Sequence, residues 1–308
     1  MRILLLAVAL VVAAGGYTTY WFVLRARAES AVEDWVAAQR RSGTEITYRS
    51  FEIGGFPYRL EADIQGLSVA RGEAAVPWSW QSDRVLLITQ PWSLRHFVAV
   101  TDAPSQLAYW FGGIEYRVNV ALSEGRASTR VDGNGQLAMG AVDLRDLRLT
   151  DGDDAMSLGS IGRFQVHVRP GAEETENTFD AVLQADGVDL PGSGPAALGN
   201  RVEHVLVDAS WSGPLPDADF AEAVAAWREA GGAVDVHALT VDWGPLGVDG
   251  DATLSVDDAM RPLGAGVVRV AGSDALVDAL SAEGNIDGTM AAAAKIGLAL
   301  IAKRPPDG

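Results

Sequence analysis

The distribution of hydrophobic residues divides the chain into an apolar N-terminal stretch and a long region of alternating polar and apolar positions. Residues 3–24 form a run of 22 residues without a charge, flanked by Arg2 and Arg25. As a helix this run would be ~33 Å long, enough to cross the hydrocarbon core of a bilayer. The sequence therefore predicts a transmembrane signal-anchor helix over residues 1–25, with the inner membrane as its partner through residues 3–24.

Aromatic residues gather in the last turns of this predicted span, at Tyr17, Tyr20, Trp21 and Phe22. Amphipathic rings favour the lipid headgroup region, so their position supports a helix that crosses the membrane. The alternative is a cleaved signal peptide, because the small residues 12–14 fit the site that a signal peptidase recognises.

The charges around the span leave the side of the membrane open. Arg25, Arg27, Arg40 and Arg41 follow the span, whereas Arg2 and the terminal amine precede it. The positive-inside tendency would keep the body in the cytoplasm on this count.

Beyond the span, the hydrophobic pattern changes from a helical period to a period of two. Residues 26–43 place apolar side chains at spacings of three and four, which predicts a connecting amphipathic helix that ends at Gly43. The alternation that follows predicts half-buried strands and is cleanest at residues 58–69 and 114–122. We therefore predict a mainly β fold, with a long curved antiparallel β-sheet or groove over residues 44–308 and a hinge near 190–199.

Turn and helix signals punctuate the β-rich region. Tight hairpin turns are predicted at three Asp-Gly sites, residues 132–135, Asp151-Gly152 and Asp249-Gly250. A few amphipathic helices are predicted at 217–230, where Asp217 would be the cap, at Ser273–Ala282, and at 289–303 before Pro305.

Composition excludes several classes of function. The chain has 41 acidic and 24 basic residues and a net charge of -17, which argues against nucleic acid as a partner, since binding phosphates needs a basic surface. Cysteine is absent, so disulfides, thiolate metal sites and cysteine nucleophiles are excluded.

Motifs for chemistry are also missing from the sequence. The four histidines are scattered singly through strand patterns, without the short spacings of metal ligands. No nucleophile elbow or dinucleotide-binding turn occurs. The acidic residues at 151–154 resemble the start of a calcium loop, but the ligand positions that should follow are not filled. We expect no catalytic residues, no metal and no cofactor.

The tryptophans give the best candidate for a binding site. Trp78, Trp80 and Trp92 lie close together in sequence, next to Pro77 and Pro91. Indole rings on one side of a sheet would build an apolar wall with a few hydrogen-bond donors. We predict that Trp78, Trp80 and Trp92 line the site if an apolar ligand binds, and the alternative is an aromatic core.

Several motifs carry a resemblance to a known family. They are residues 54–60 (GGFPYRL), 77–80 (PWSW), 90–92 (QPW) and 249–254 (DGDATL) leading to 261–264 (RPLG). Together they resemble an uncharacterised bacterial membrane-anchored family, domain of unknown function 2125. The resemblance implies an N-terminal membrane segment and a body outside the cytoplasm, and brings no catalytic residues with it. On this basis we expect a single-pass inner-membrane protein with a periplasmic body. The C-terminal strand-turn pattern is more faintly similar to AsmA-like envelope proteins, which implies lipid handling.

Two functions follow as expectations. The first is a non-catalytic periplasmic β-groove protein that binds or transports lipid or other apolar envelope molecules. The second is a structural or assembly factor of the envelope, which acts through contacts with a protein partner.

Overall fold

The computed structural model describes residues 1–74, 76–171, 178–192, 198–214, 216, 220–282, 284 and 286–301. The chain divides into two compact units, Met1–Ala138 and Met139–Gly308. The sequence-predicted hinge near 190–199 falls partly outside the described residues and stays a prediction.

Helix α1 (Arg2–Arg41) joins the predicted anchor and the predicted connecting helix into one element. Its 40 residues extend for ~60 Å. Among the described residues, it is the one helix long and apolar enough to cross a membrane. The helix ends where the sequence predicted, since Gly43 adopts a left-handed φ of 84° and donates to the carbonyl of Arg40.

One stripe of α1 packs on the sheet of the first unit. Trp21, Leu24 and Ala28 recur at spacings of three and four and therefore lie on the same face of the helix. They pack against Ile53 and Leu60, and this cluster is the core of the unit. The helix that carries the apolar run is therefore also the helix that packs on the sheet of the first unit.

The first unit is an antiparallel sheet in which β3 and β4 are the central strands. Strands β1, β3, β4, β5 and β8 are neighbours in that order, while β2 pairs with β3, and β6 pairs with β4 and β7. The strands are β1 (Glu45–Thr47), β2 (Ser50–Gly54), β3 (Leu60–Arg71), β4 (Trp78–Gln90), β5 (Ser93–Thr101), β6 (Ser105–Phe111), β7 (Ile114–Ala121) and β8 (Glu124–Val131).

The second unit is an antiparallel meander in which each strand pairs with the next along the chain. Its strands are β9 (Leu137–Asp151), which begins at the boundary, β10 (Ser157–Pro170), β11 (Thr178–Asp189), β12 (Arg201–Ser212), β13 (Ala233–Trp243), β14 (Leu246–Val256) and β15 (Pro262–Ala271). Its helices are α2 (Phe220–Glu229), α3 (Ser273–Ala282) and α4 (Gly288–Ile301).

The predicted mainly β, antiparallel fold with an N-terminal helix and a few short helices is confirmed. Helix α3 has the predicted bounds, whereas the predicted Asp217 cap and the stop at Pro305 lie outside the described residues. Turns form as predicted at Asp132, whose carboxylate accepts from the backbone of Asn134, and at Asp151.

The predicted turn at Asp249-Gly250 is wrong, because both residues lie inside β14. The turn before this strand is made at Gly244, with a φ of 54°. Gly250 instead allows a close approach of β15, since a Cβ there would lie 2.6 Å from the carbonyl oxygen of Val267.

Candidate functional site

Trp78 and Trp80 lie side by side at one end of β4. They are two residues apart on a regular strand and so point to the same face of the sheet. Trp80 is opposite Val69 of β3 and Leu107 of β6, and Trp78 is opposite Tyr109. This part of the sequence-based prediction, two adjacent indoles on one face, agrees with the structure.

The same face continues onto β7 as an apolar surface. Tyr109 stacks on Tyr116 with ring centroids 5.2 Å apart, and Leu107 is opposite Val118. All members of this surface are described residues, and none of them is fully buried. We call it the tryptophan face, and it consists of Val69, Trp78, Trp80, Leu107, Tyr109, Tyr116 and Val118.

Trp92 lies at the opposite end of β4, and the structure does not bring it together with the other two tryptophans. The strand runs without a turn from Trp78 to Gln90, so Trp80 and Gln90 are ~33 Å apart. The register confirms this separation, because Leu60 pairs with Thr89 at one end of β3 and Arg71 pairs with Trp78 at the other. Trp92 is close to Trp80 in sequence but far from it in space, because most of the extended strand β4 lies between them.

Trp92 belongs to a second aromatic cluster, built where α1 meets the turns at this end of the sheet. The hydroxyl of Tyr20 donates to the carbonyl of Pro91 at 2.8 Å. Trp21 Nε1 donates to the carbonyl of Arg59 at 3.1 Å, and the hydroxyl of Tyr17 donates to the carbonyl of Pro57. Three aromatic donors of the apolar helix therefore hold the β2–β3 and β4–β5 turns.

Phe56 packs among the rings of α1 at this point. Its ring centroid lies 5.4 Å from that of Trp21 and 6.1 Å from that of Phe22. Trp21 is only 2% exposed, but Phe56 is 48%, Tyr58 74% and Trp92 61% exposed. We call this cluster the aromatic rim, and it consists of Tyr17, Tyr20, Trp21, Phe22, Phe56, Tyr58 and Trp92.

The sheet of the second unit has one apolar and one polar face along its central part. Directly paired residues share a face, so the register defines rows that run across the strands. One row comprises Leu144, Phe164, Ala185, Val205, Val241 and Val248, and the next comprises Val142, Val166, Leu183, Val207 and Leu239. We call these eleven residues the apolar face.

The apolar face is incompletely covered. Among its eleven members, all of them described, only Ala185 is buried, and the others keep part of their surface accessible. Helix α2 covers a neighbouring position, where the ring of Trp227 stacks on Trp211 with centroids 4.6 Å apart. The sequence showed the alternation of single strands, but the alignment of these strands into apolar rows became visible only with the register.

The opposite face is polar and contains a pocket of about 550 Å³. Its polar lining comes from four neighbouring strands and includes His167, Arg169, Asp180, Asp208, Ser210 and His237. His167 shares this face with Gln165 and Arg169, each two residues away on β10.

Asp180 is the centre of the hydrogen bonds in this pocket. Ser210 Oγ donates to one carboxylate oxygen at 2.8 Å, and Arg169 Nε donates to the other at 3.1 Å. The hydrogen bond from Ser210, and with it that from Arg169, holds the pKa of Asp180 below its usual value, against the opposing effect of burial. Asp180 is therefore a stable carboxylate anion at neutral pH.

Ser210 also lies 2.8 Å from Nε2 of His237, but the order of the three groups differs from that of a nucleophilic triad. In a triad, histidine takes the serine proton and the carboxylate orients the histidine. Here the carboxylate of Asp180 accepts the hydrogen bond that the single O–H group of Ser210 can donate. The arrangement ties three strands together through their polar side chains.

Comparison with known proteins gives a family. A family model described as an uncharacterised protein conserved in bacteria matches residues 21–308, which cover the second unit and the first unit from Trp21 onward. Two motifs of the resemblance, residues 54–60 and 90–92, form the turns of the aromatic rim. Neither a curated protein nor a solved structure matches the chain. The chain belongs to the bacterial family of domain of unknown function 2125.

Proposed function

We propose that this protein is a membrane-anchored, non-catalytic protein of the periplasm, which binds or transfers lipid or other apolar envelope molecules on an open β-sheet surface. The observation that carries the proposal is the apolar face of the second unit, whose rows of apolar side chains, all but Ala185, remain partly accessible. The tryptophan face of the first unit is a second surface of the same kind.

The contact of these apolar side chains with water is unfavourable. Each Å² of apolar surface removed from water stabilises a complex by ~25 cal/mol. An acyl chain bound along the rows would remove from water both its own apolar surface and that of the protein, and both contributions favour binding. Contiguous exposed apolar patches on proteins mark interaction sites. The aliphatic rows offer no charged group, which suits a hydrocarbon chain better than a polar substrate.

The membrane anchor and the location of the body rest on the N-terminal helix and on the family. The run of apolar residues in α1 suits a span, and the resemblance to membrane-anchored and AsmA-like envelope proteins favours the periplasm and lipid as the ligand class. Protease added to intact spheroplasts should digest the body, and complete protection would place it in the cytoplasm. The intact mass should retain residues 1–14, whereas their loss would establish cleavage of a signal peptide.

Two adjacent residues of β12 give a matched test of the binding surface. Val207 belongs to the apolar face, and Leu206 points to the opposite side, where it pairs with Gln184 and Thr240. Native mass spectrometry of the gently extracted protein should show bound lipid in the wild type and in Leu206→Asn, and much less in Val207→Asn. Melting curves of both variants check that they fold. Wild-type protein free of lipid, or equal loss in both variants, would refute the proposal.

The second candidate function, an assembly factor with a protein partner, is favoured by β15. All ten residues of this strand are exposed, and in the described part of the chain β15 pairs with β14 alone. An uncovered edge strand can pair with a strand of another chain. A stoichiometric protein in the same native mass spectra, lost in Val267→Lys, would support this function over lipid binding.

A further inference from the structure

The length of α1 restricts where the body can lie if this helix crosses a membrane. Among the described residues, Tyr17 is the first residue of α1 to hydrogen-bond the body, and residues 1–16 are exposed. The 14 apolar residues 3–16 extend for ~21 Å, but the hydrocarbon core of a bilayer is ~30 Å thick. A helix that spans the core therefore needs about 9 Å more. Because the charged Arg2 bounds the apolar run on the other side, the segment held by the body would supply it.

That segment is the part of α1 that belongs to the aromatic rim. Tyr17 to Phe22 would complete the span, and the turns bound to them would lie at the same depth. Non-helical backbone is costly at this depth unless its polar groups have partners. The carbonyls of Pro57, Arg59 and Pro91 each accept a hydrogen bond from an aromatic side chain of α1, which lowers this cost for three polar groups of the turns.

The exposed side chains of the two turns have the chemistry of the headgroup region. Phe56, Tyr58 and Trp92 present large rings to the outside, at the end of the sheet where α1 enters it. Tyrosine and tryptophan concentrate at membrane interfaces, where one end of the ring is apolar and the other is wet. Singly exposed rings need no explanation, but three on two adjoining turns beside an apolar helix indicate a common surface.

We propose that the aromatic rim is a membrane-binding surface, in which Phe56, Tyr58 and Trp92 enter the headgroup layer of the bilayer that α1 spans. In this arrangement, the end of the first unit's sheet that carries the aromatic rim lies in contact with the membrane surface. This inference rests on the membrane anchoring in the proposed function, and it names the bilayer itself as the occupant of the rim. It also places this end of β3 and β4 where a lipid could leave the bilayer.

Site-directed spin labels can test the rim in the full chain, because the sequence has no cysteine to remove. Labels at Tyr58→Cys and Trp92→Cys would be compared with Val8→Cys in the apolar span and Glu73→Cys beyond the opposite end of β3. The protein is reconstituted in phosphatidylcholine and phosphatidylglycerol vesicles, and collisions with oxygen and with a water-soluble nickel complex are measured. Residues 58 and 92 are exposed, so the changes leave the fold intact.

The rim labels should show several-fold more oxygen and less nickel accessibility than the label at residue 73, with values between those of residues 8 and 73. If residues 58 and 92 match residue 73 while residue 8 is in lipid, the rim proposal fails and the anchor stands. If residue 8 is itself in water, the anchor fails and the rim proposal falls with it. Short spin–spin distances between rim labels, with low accessibility to both reagents, would assign the rim to a second copy and also overturn the proposal.

Discussion

The indole Nε1 of Trp21 donates a hydrogen bond to the backbone carbonyl of Arg59 at 3.1 Å. The bond joins the apolar half of α1 to the residue just before β3. Trp21 is buried in the same cluster as Leu60 and Ala62. Trp21 therefore attaches the apolar half of α1 to the β body both by packing and by a hydrogen bond.

We expect Trp21→Ala to lower the free energy of unfolding by ~3–5 kcal/mol, the usual cost of removing a buried tryptophan. Trp21→Phe keeps most of the packing but leaves the Arg59 carbonyl without its donor, and should cost ~1–3 kcal/mol. Urea denaturation followed by circular dichroism in detergent measures both. Trp35 on the same helix is exposed, so Trp35→Ala is the control, and a cost equal to that of Trp21→Ala would contradict this account.

Two neighbouring glycines of the rim turn should respond differently to alanine. Gly55 has a φ of 94°, and a Cβ there would lie 2.8 Å from the carbonyl oxygen of Arg59. Gly55→Ala should therefore cost at least ~1 kcal/mol for the left-handed backbone alone, and it also presses on the acceptor of Trp21. Gly54 has open space at the Cβ position, so Gly54→Ala should be nearly neutral. Equal melting temperatures of the two variants would show that the turn tolerates a shift of Arg59.

Carboxylates of the polar face should make the second unit less stable in acid. The hydrogen bond from the ring of His204, at 2.7 Å, lowers the pKa of Asp186, and Gln184 adds a second bond against the opposing effect of burial. A carboxyl with a lowered pKa in the folded chain takes up its proton more readily when unfolded. Its contribution to stability is complete above the ordinary value of 3.8 and is lost as the pH falls through the folded pKa.

Asp186→Asn should consequently flatten the dependence of the melting temperature on pH below about pH 4. Asp251→Asn on β14 makes the same change in charge and serves as the control. Melting curves between pH 7 and pH 2 would measure the effect. If the melting temperature of Asp186→Asn depended on pH as steeply as that of the control, the hydrogen bond between His204 and Asp186 would not be stable in solution.

The fold class was accessible from the sequence because strands and helices follow local periodicity. The alternation at residues 58–69 predicted β3, and the charge-free run predicted the apolar half of α1. The turn predicted at Asp249-Gly250 does not form, because Asp-Gly makes a turn only where the backbone is free to do so, and here both residues of β14 pair with β15.

The candidate sites depended on long-range pairing, which local patterns do not contain. Trp78 and Trp80 share a face by the period of a strand, so the sequence could place them together. The separation of Trp92 follows from the 13-residue length of β4, and the rim follows from contacts between positions about 40 and 70 residues apart. The sequence showed both the motif at residues 54–60 and the aromatic end of the apolar run, but it did not show that the two are in contact.

Trp80 offers the sharpest test of the tryptophan face. Because its ring is only half-buried, Trp80→Ala should cost under ~2 kcal/mol of stability, less than a fully buried tryptophan would. If the face binds an acyl chain, the same change should weaken the binding of a fluorescent fatty acid several-fold. Trp110 is the matched control, since it pairs with Glu115 on the opposite face of β6, and Trp110→Ala should leave the binding unchanged. A collapsed melting temperature for Trp80→Ala, or equal binding by the two variants, would return Trp80 to the role of a packing residue.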